Sequence, residues 1–129
     1  MSKKNKNFST KAIHVGQNPE KLYGAVSLPI YLTSTFKQEE FGEYEYDYSR
    51  AGNPTRTNLE ENIASLENGK GAVAFSSGMG AISAVIHLLS AGDEVIFTRN
   101  VYGGTYRIME KIYKNFSINS HWVDTTNVN

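Results

Sequence analysis

The pattern of apolar and polar residues changes near Asn53. Residues 1–52 contain Pro, Gly and many aromatic side chains but little sustained periodicity, which predicts an extended arm rather than a compact core. Beyond Asn53 a regular helical stripe begins, made of Leu59, Ile63 and Leu66. We therefore predict two parts: an N-terminal arm over residues 1–52 and the first part of an α/β domain over residues 53–129.

Polar residues mark the two ends of this first predicted helix. Thr57 followed by Glu60 is typical of a capping box, in which side chains bond the free backbone N–H groups at a helix start. Asn68 and Gly69 then supply the kind of residue at which helices commonly end. One amphipathic helix is expected between these signals.

Strand-like segments then alternate with helical stripes. The predicted strands are GAVAFSS at residues 71–77, DEVIFT at 93–98 and INSHWVD at 118–124. The helical stripes between them are Ile82, Val85, Ile86 and Leu89, then Met109, Ile112, Tyr113 and Phe116. This order predicts right-handed crossovers and a mainly parallel sheet with helices on both faces, which is an α/β fold.

The first strand-to-helix junction is a candidate anion site. A helix that starts immediately after Ser77 leaves the N–H groups near Gly78 and Met79 without an intrahelical acceptor, and the helix dipole adds positive charge there. Glycine also lets a ligand approach the backbone closely, so phosphate is the expected ligand. The alternative is an ordinary capped helix start with Ser77 as the N-cap.

The same junction allows a second interpretation. Gly78, Gly80 and Ser83 superficially fit the dinucleotide fingerprint, which would make the chain an NADP-binding oxidoreductase domain of the Rossmann type with Arg99 near the 2′-phosphate. Against it, the third position is Ser, and no acidic residue ends the DEVIFT strand.

Two further segments carry candidate binding residues. YDYSRAGNPT, at residues 46–55, fits neither helix nor strand and offers the phenol of Tyr48 and the guanidinium of Arg50 to an anion. Tyr102 follows the DEVIFT strand and therefore belongs to the same rim of the sheet as Gly78. Its ring could stack on a flat aromatic ligand, the alternative being a partly buried loop tyrosine.

Composition narrows the possible partners. Lys plus Arg equals Asp plus Glu at 13 each, so no global charge favours nucleic acid or a membrane surface. The chain has no cysteine, the histidines His14, His87 and His121 show no metal-ligand spacing, and no apolar run is long enough to span a bilayer. The basic segment MSKKNKN lacks the apolar core of a signal peptide. We expect a cytoplasmic protein without metal, nucleic-acid or membrane binding.

Three unusual motifs occur together in this chain. YSRAGNPT, SSGMGA and VYGGTYR, preceded by TKAIHVGQ and TSTFKQ, resemble the start of the Cys/Met-metabolism family of pyridoxal-phosphate (PLP) enzymes, in particular its cystathionine gamma-synthases and gamma-lyases. The resemblance implies the aspartate-aminotransferase-like (type I PLP) fold. It also implies a homo-oligomer with active sites shared in a dimer, a homotetramer overall, and an arm that reaches the neighbouring subunit.

The resemblance assigns roles to single residues. Tyr48 and Arg50 correspond to residues that bind the cofactor phosphate of the neighbouring subunit. Gly78 and Met79 bind the phosphate within their own subunit through backbone N–H groups, and we include Ser77 in this cradle. Tyr102 stacks on the cofactor ring and places its hydroxyl near the amine of the substrate, an amino acid.

The implied reaction is gamma-replacement or gamma-elimination on cystathionine or O-acyl-homoserine type substrates, in transsulfuration. The family's Schiff-base lysine has no match among these 129 residues, because Lys70, Lys111 and Lys114 are interpreted as solvated charges. We therefore expect this chain to be the N-terminal part of a longer enzyme, inactive and poorly folded by itself. A non-catalytic binding fragment is the alternative.

Overall fold

The computed structural model describes residues 7–127. Contacts divide the chain into two compact units, Met1–Ala74 and Phe75–Asn129, which are described in turn. The predicted division after residue 52 stays a prediction. None of the helices within the described residues is long and apolar enough to cross a membrane.

The first unit contains two helices, of which the sequence predicted one. Helix α1 spans Phe8–His14 and begins at Asn7, whose side chain accepts a hydrogen bond from the Thr10 N–H at 2.9 Å. Helix α2 spans Pro54–Leu66. The interpretation of residues 1–52 as wholly extended was wrong over α1, because a seven-residue helix is too short for a periodic signal.

Polar side chains join α1 to α2. The Asn62 amide donates to three carbonyl oxygens at the end of α1, those of Lys11, Ala12 and Val15. The Lys11 ammonium donates in return to the Ser65 carbonyl at 3.1 Å and to Asn68 Oδ1 at 2.7 Å. These bonds satisfy the free carbonyls that every helix end leaves, so a short helix is stable against α2.

The start of α2 differs from the predicted capping box. Asn53 is the N-cap, its side chain accepts from the N–H two residues on at 2.9 Å, and Pro54 occupies the first helical turn. Asn at the N-cap and Pro at the first helical position are both strongly favoured, so the helix begins before Thr57. Glu60 instead accepts a hydrogen bond from the Ala74 N–H at 2.8 Å.

The predicted end of α2 is confirmed. Asn68 adopts the left-handed conformation at φ 52°. The Gly69 N–H then donates back to the Ala64 carbonyl at 2.8 Å, which closes the helix with the bond expected at a left-handed C-terminus.

The second unit alternates helices and parallel strands. Its elements are α3 (Gly78–Ile86), β1 (Glu94–Thr98), α4 (Gly103–Lys111), a 3₁₀ helix (Tyr113–Phe116) and β2 (Asn119–Val123). Strands β1 and β2 pair in parallel, with Glu94 opposite Asn119 and Thr98 opposite Val123. The predicted second and third strands and their parallel direction are therefore confirmed.

The prediction of a first strand at GAVAFSS was wrong. Residues 71–77 form no strand in the part of the chain that the structure describes, whose sheet has two strands. An apolar run becomes a strand only when its backbone finds a partner, and Val73 in its middle is 72% exposed. The apolar pattern therefore identified a segment that has no strand partner among the described residues.

The last predicted helix is interrupted. Regular helix ends at Lys111, and Ile112 leaves the helical region at φ −120° and ψ −65° before the 3₁₀ turn. Met109 and Tyr113 are buried as the stripe predicted, but Phe116 is exposed because the 3₁₀ turn rotates it away.

The core of this unit lies between the helices and the sheet. Its buried members are Ile86, Met109, Tyr113 and Ile118. The rings of Phe97 and Trp122 stack beside it at a centroid distance of 4.9 Å. This packing holds α3 and α4 in place, and with them the two loops that carry the candidate site.

Candidate active site

The start of α3 has backbone donors that its own cap leaves free. Ser77 is extended, and its side-chain oxygen accepts from the Gly80 N–H at 3.1 Å. The N–H groups of Gly78 and Met79 have no acceptor among the described residues. A Cβ built on Gly78 would meet no atom within 4 Å, so space is open beside these donors. The interpretation of Ser77 as an N-cap is therefore confirmed, and the anion site beside it stays a prediction.

Tyr102 lies beside this helix start. It precedes α4 without making a side-chain cap, and its ring is 70% exposed. A Cβ built on Gly104 would lie 2.5 Å from Tyr102 Cε1 and 2.8 Å from Met79 Sδ. The tyrosine ring and the Met79 thioether are therefore neighbours, and the structure brings together the predicted cradle and the predicted stacking residue.

The other two predicted residues share a loop in the first unit. The Arg50 guanidinium carbon lies 4.9 Å from the centre of the Tyr48 ring. Tyr48 forms an antiparallel bridge with Thr35, and its carbonyl accepts from the N–H groups of Ala51 and Gly52, both at 2.9 Å. The loop is thus a fixed turn, and it presents a guanidinium and a phenol on one side.

Arg56 orders this loop, and sequence reasoning missed it. Its guanidinium donates to the carbonyl oxygens of Ser49 at 3.0 Å and Ala51 at 2.8 Å, from a position in the first turn of α2. The Asn53 amide adds a bond to the Ser49 hydroxyl at 2.9 Å. The available signal was its place directly after the YSRAGNPT motif, six residues after Arg50, but spacing alone does not show which arginine faces a ligand and which bonds the backbone.

The remaining candidates have structural partners. His87 Nε2 lies 3.2 Å from the Tyr113 hydroxyl, and His121 lies 3.3 Å from a Glu94 carboxylate oxygen. Residues 7–127 contain no group of three side chains that could hold a metal ion. The Lys114 side chain is 71% exposed and pairs with Glu110 at 3.8 Å, as expected of a solvated charge.

Free N–H groups at a helix start, an open glycine and an adjacent exposed aromatic ring are features that suit a ligand with a phosphate and a flat ring. Residues 9–129 match the model of the Cys/Met metabolism PLP-dependent enzymes. The chain belongs to this family. The family's cofactor agrees with the geometry of the site, and the NADP-binding alternative is set aside.

Relatives of this chain are named as cystathionine lyases. The chain is 52% identical over 122 residues to a cystathionine beta-lyase of Lactococcus lactis, covering 94% of this chain and 32% of that protein. It is 50% identical over 118 residues to a cystathionine gamma-lyase of Bacillus subtilis, covering 91% and 31%.

The fold of this chain agrees with the solved structure of a cystathionine gamma-lyase. Cystathionine gamma-lyase from Lactobacillus plantarum, complexed with L-serine, matches with a TM-score of 0.88 and 45% identity over 95% of this chain and 32% of that one. The expected type of fold is thereby confirmed. The chain spans about a third of the length of the relatives it matches.

Proposed function

We propose that this chain supplies the phosphate cradle and the ring-stacking residue of a PLP-dependent transsulfuration enzyme. The observation that carries the proposal is the meeting of two free N–H groups, at Gly78 and Met79, with the exposed ring of Tyr102. A phosphate on these donors leaves the attached pyridine ring within reach of the tyrosine. These residues fit the cofactor.

Each residue has a task that follows from its chemistry. The Gly78 and Met79 N–H groups donate to phosphate oxygens, assisted by the dipole of α3. The Ser77 oxygen accepts from Gly80, so its own hydroxyl proton remains available to the same anion. The Tyr102 ring covers one face of the cofactor and excludes water there, while its hydroxyl lies near the amine of the substrate.

Tyr48 and Arg50 complete the phosphate site of the neighbouring subunit in this proposal. Arginine presents a planar fork that matches phosphate better than a flexible ammonium does. The fixed turn that carries both side chains supports this role, because a preformed loop loses little entropy when it binds. The protein is then a homo-oligomer with shared sites, a tetramer built from such dimers, and it works in the cytoplasm.

The proposed substrates are sulfur-containing amino acids of the cystathionine or O-acyl-homoserine type, with gamma-elimination or gamma-replacement as the reaction. The names of the Lactococcus and Bacillus relatives support cystathionine as the substrate class. PLP supplies the electron sink that permits bond breaking beside the alpha carbon. The protein binds, orients and shields the reacting groups.

A chimera tests the proposal. This chain replaces the matching third of the Bacillus subtilis cystathionine gamma-lyase, and the product is titrated with PLP and assayed for release of 2-oxo acid from cystathionine. We expect cofactor binding and turnover by the chimera and no turnover by the 129-residue chain alone. A chimera with the size and melting behaviour of the parent lyase but without bound PLP would contradict the proposal.

Gly78→Pro isolates the role of one backbone donor. Proline removes the N–H yet suits the first position of a helix, and the extended Ser77 before it is compatible with proline. Gly78→Ala, the control, adds a side chain and keeps the donor. Loss of a hydrogen bond to a charged group costs about 1.5–3 kcal/mol, so we expect PLP to dissociate at least tenfold more readily from the Pro variant than from the Ala variant. Equal affinities would exclude Gly78 from the cradle.

A further inference from the structure

Gly104 stands where two side chains of the site meet. A Cβ at this position would lie 2.5 Å from Tyr102 Cε1, 3.1 Å from Tyr102 Cδ1 and 2.8 Å from Met79 Sδ. Real Cβ atoms essentially never show contacts below 3.0 Å, so a side chain at residue 104 displaces the ring, the thioether or both. The absence of a side chain is therefore a requirement of this arrangement.

The adjacent glycine shows that the requirement is specific. Gly103 also lies in the first turn of α4, but a Cβ built there meets no atom within 4 Å. Neither glycine has a positive φ, so the backbone does not demand glycine at either position. Glycine in a helix is also less stable than alanine. Local stability thus gives no reason for Gly104, whereas the position of the Tyr102 ring does.

Met79 belongs to the candidate site through both its backbone and its side chain. Its backbone N–H is one of the free donors at the start of α3, and its sulfur lies next to the Tyr102 ring. Tyr102 Cε1 and Met79 Sδ both lie within 2.8 Å of the position of a Cβ on Gly104, so the ring and the thioether are close neighbours, and sulfur beside an aromatic ring is attracted to it. One residue therefore connects the phosphate donors to the ring.

We propose that Gly104 is a positioning residue: its bare Cα makes the space in which the Tyr102 ring rests against the Met79 thioether, next to the phosphate cradle. Tyr102 is 70% exposed, so few other groups can restrain its ring. With the ring held beside the cradle, cofactor binding need not first order it. The inference rests on the proposed function for its consequence, but the packing itself can be measured without a cofactor.

The first test measures the packing in the chain as it stands. The sequence has three methionines, Met1, Met79 and Met109, so methyl-labelled methionine gives a spectrum of three signals. The buried Met109 methyl reports folding, and the Met79 methyl senses the ring current of Tyr102. If Met109 shows an unfolded signal, the same labelling is carried out in the chimera, with Met79→Leu to assign the peak.

We expect Gly104→Ala to move the Met79 methyl signal toward its position in Tyr102→Ala. Gly103→Ala should leave the Met79 signal unchanged, and neither alanine should move the signal of Met109. A Met79 signal that stays in place in Gly104→Ala would overturn the packing, whatever the chimera does with PLP.

The second test measures the consequence in the chimera. Gly104→Ala should weaken PLP binding by about two- to tenfold, the range expected from losing one aromatic stacking contact. Its melting temperature should hold or rise, since alanine favours helix. Gly103→Ala should match the parent in affinity. If Gly104 had only a structural role, Gly104→Ala would lower both the melting temperature and the affinity for PLP. That outcome would overturn the positioning role. Equal PLP affinities of Gly104→Ala and Gly103→Ala would overturn it as well. Failure of the unsubstituted chimera to bind PLP would count against the proposed function instead.

Discussion

The Arg50 guanidinium lies over the ring of Tyr48, with 4.9 Å between its central carbon and the ring centre. A cation over an aromatic face is attracted by the ring and restrained by it. The residues 7–127 offer Arg50 no ion pair, so its charge is available to a ligand. This arrangement supports the proposal that the pair binds an anion, and it gives the first prediction.

Replacing Arg50 by alanine in the chimera should weaken PLP binding by about 1.5–3 kcal/mol, the usual contribution of a hydrogen bond to a charged group. Arg50→Lys should recover part of the loss, because it keeps the charge without the fork. Equilibrium dialysis against PLP gives the dissociation constants. An Arg50→Ala chimera with the affinity of its parent would remove Arg50 from the site.

Mixed oligomers test whether Arg50 serves the neighbouring subunit. Arg50→Ala chains are combined with chains whose cofactor-binding lysine, in the part taken from the Bacillus enzyme, has been replaced. If the contact crosses the interface, both lesions fall in one site of a hybrid dimer, and about half of the sites regain activity. Complete inactivity of the hybrids would place the contact within one subunit.

Arg56 should act through the loop that carries Arg50. Its bonds to the Ser49 and Ala51 carbonyls need the two-armed guanidinium, so Arg56→Lys should loosen the turn and weaken PLP binding. In an Arg50→Ala background the same change should cost much less, because residues that act together are not additive. Arg107→Lys, on an exposed face of α4, is the control. Equal losses with and without Arg50 would show that Arg56 acts elsewhere.

Two substitutions of Tyr102 separate the effect of its ring from the effect of its hydroxyl. Tyr102→Phe keeps the stacking ring, so PLP affinity should hold while turnover of cystathionine falls. Tyr102→Ala should also weaken the cofactor, by the roughly 0.5–1.5 kcal/mol that aromatic stacking contributes. Dissociation constants and kcat are measured for both variants beside the parent chimera. Variants equal to the parent in both quantities would reduce Tyr102 to a loop residue.

The sequence predicted the elements that show their own periodicity or end signals. The segment DEVIFT became β1, and Asn68 ended α2 in the left-handed conformation. The predictions failed where a tertiary partner decides the outcome: residues 71–77 found no strand partner, and α1 depends on bonds from Asn62 in a distant part of the chain. A short window of sequence shows neither the missing strand partner nor the distant hydrogen bonds.

In the candidate site, too, local signals were predictable from the sequence and tertiary contacts were not. The free N–H groups of Gly78 and Met79 were predictable because the start of every helix leaves such groups. Gly104 was not, since its role depends on the approach of Met79 from another helix. Arg56 was missed because its guanidinium bonds backbone carbonyls rather than a ligand. Motifs thus indicate which groups face a ligand, whereas the residues that hold them in place appear only with the packing.

Gly16 should be indispensable to the packing of α1. It is buried with φ +70°, and a Cβ there would lie 2.3 Å from the Asn58 carbonyl oxygen. Gly24 has φ +69° but open space around its Cα, which makes it a matched control. Gly24→Ala should cost about 1–2 kcal/mol from the left-handed backbone alone, and Gly16→Ala clearly more, because backbone must move. Urea unfolding of both variants in the chimera gives the comparison, and equal losses would contradict the close approach.

Glu110 should contribute to stability in a pH-dependent way. Its carboxylate accepts hydrogen bonds from the Trp122 indole N–H and the Ser120 hydroxyl, both at 3.0 Å, and these bonds lower the pKa of Glu110 below its usual value. A carboxyl with a lowered pKa in the folded protein stabilises it fully above the unfolded pKa, and this contribution is lost as the pH falls through the folded pKa. Destabilisation by acid is therefore the expected sign.

Glu110→Gln removes the titrating charge and should flatten the dependence of unfolding free energy on pH in the acid range. Glu61→Gln, at an exposed position on α2, should keep the slope of the unsubstituted chain. Both variants are made in the chimera, where circular dichroism during urea unfolding at a series of pH values reports the transition; Trp122 contacts Glu110 directly. If Glu110→Gln and the unsubstituted chain lose stability in parallel as the pH falls, the bonds to Trp122 and Ser120 do not carry the acid sensitivity.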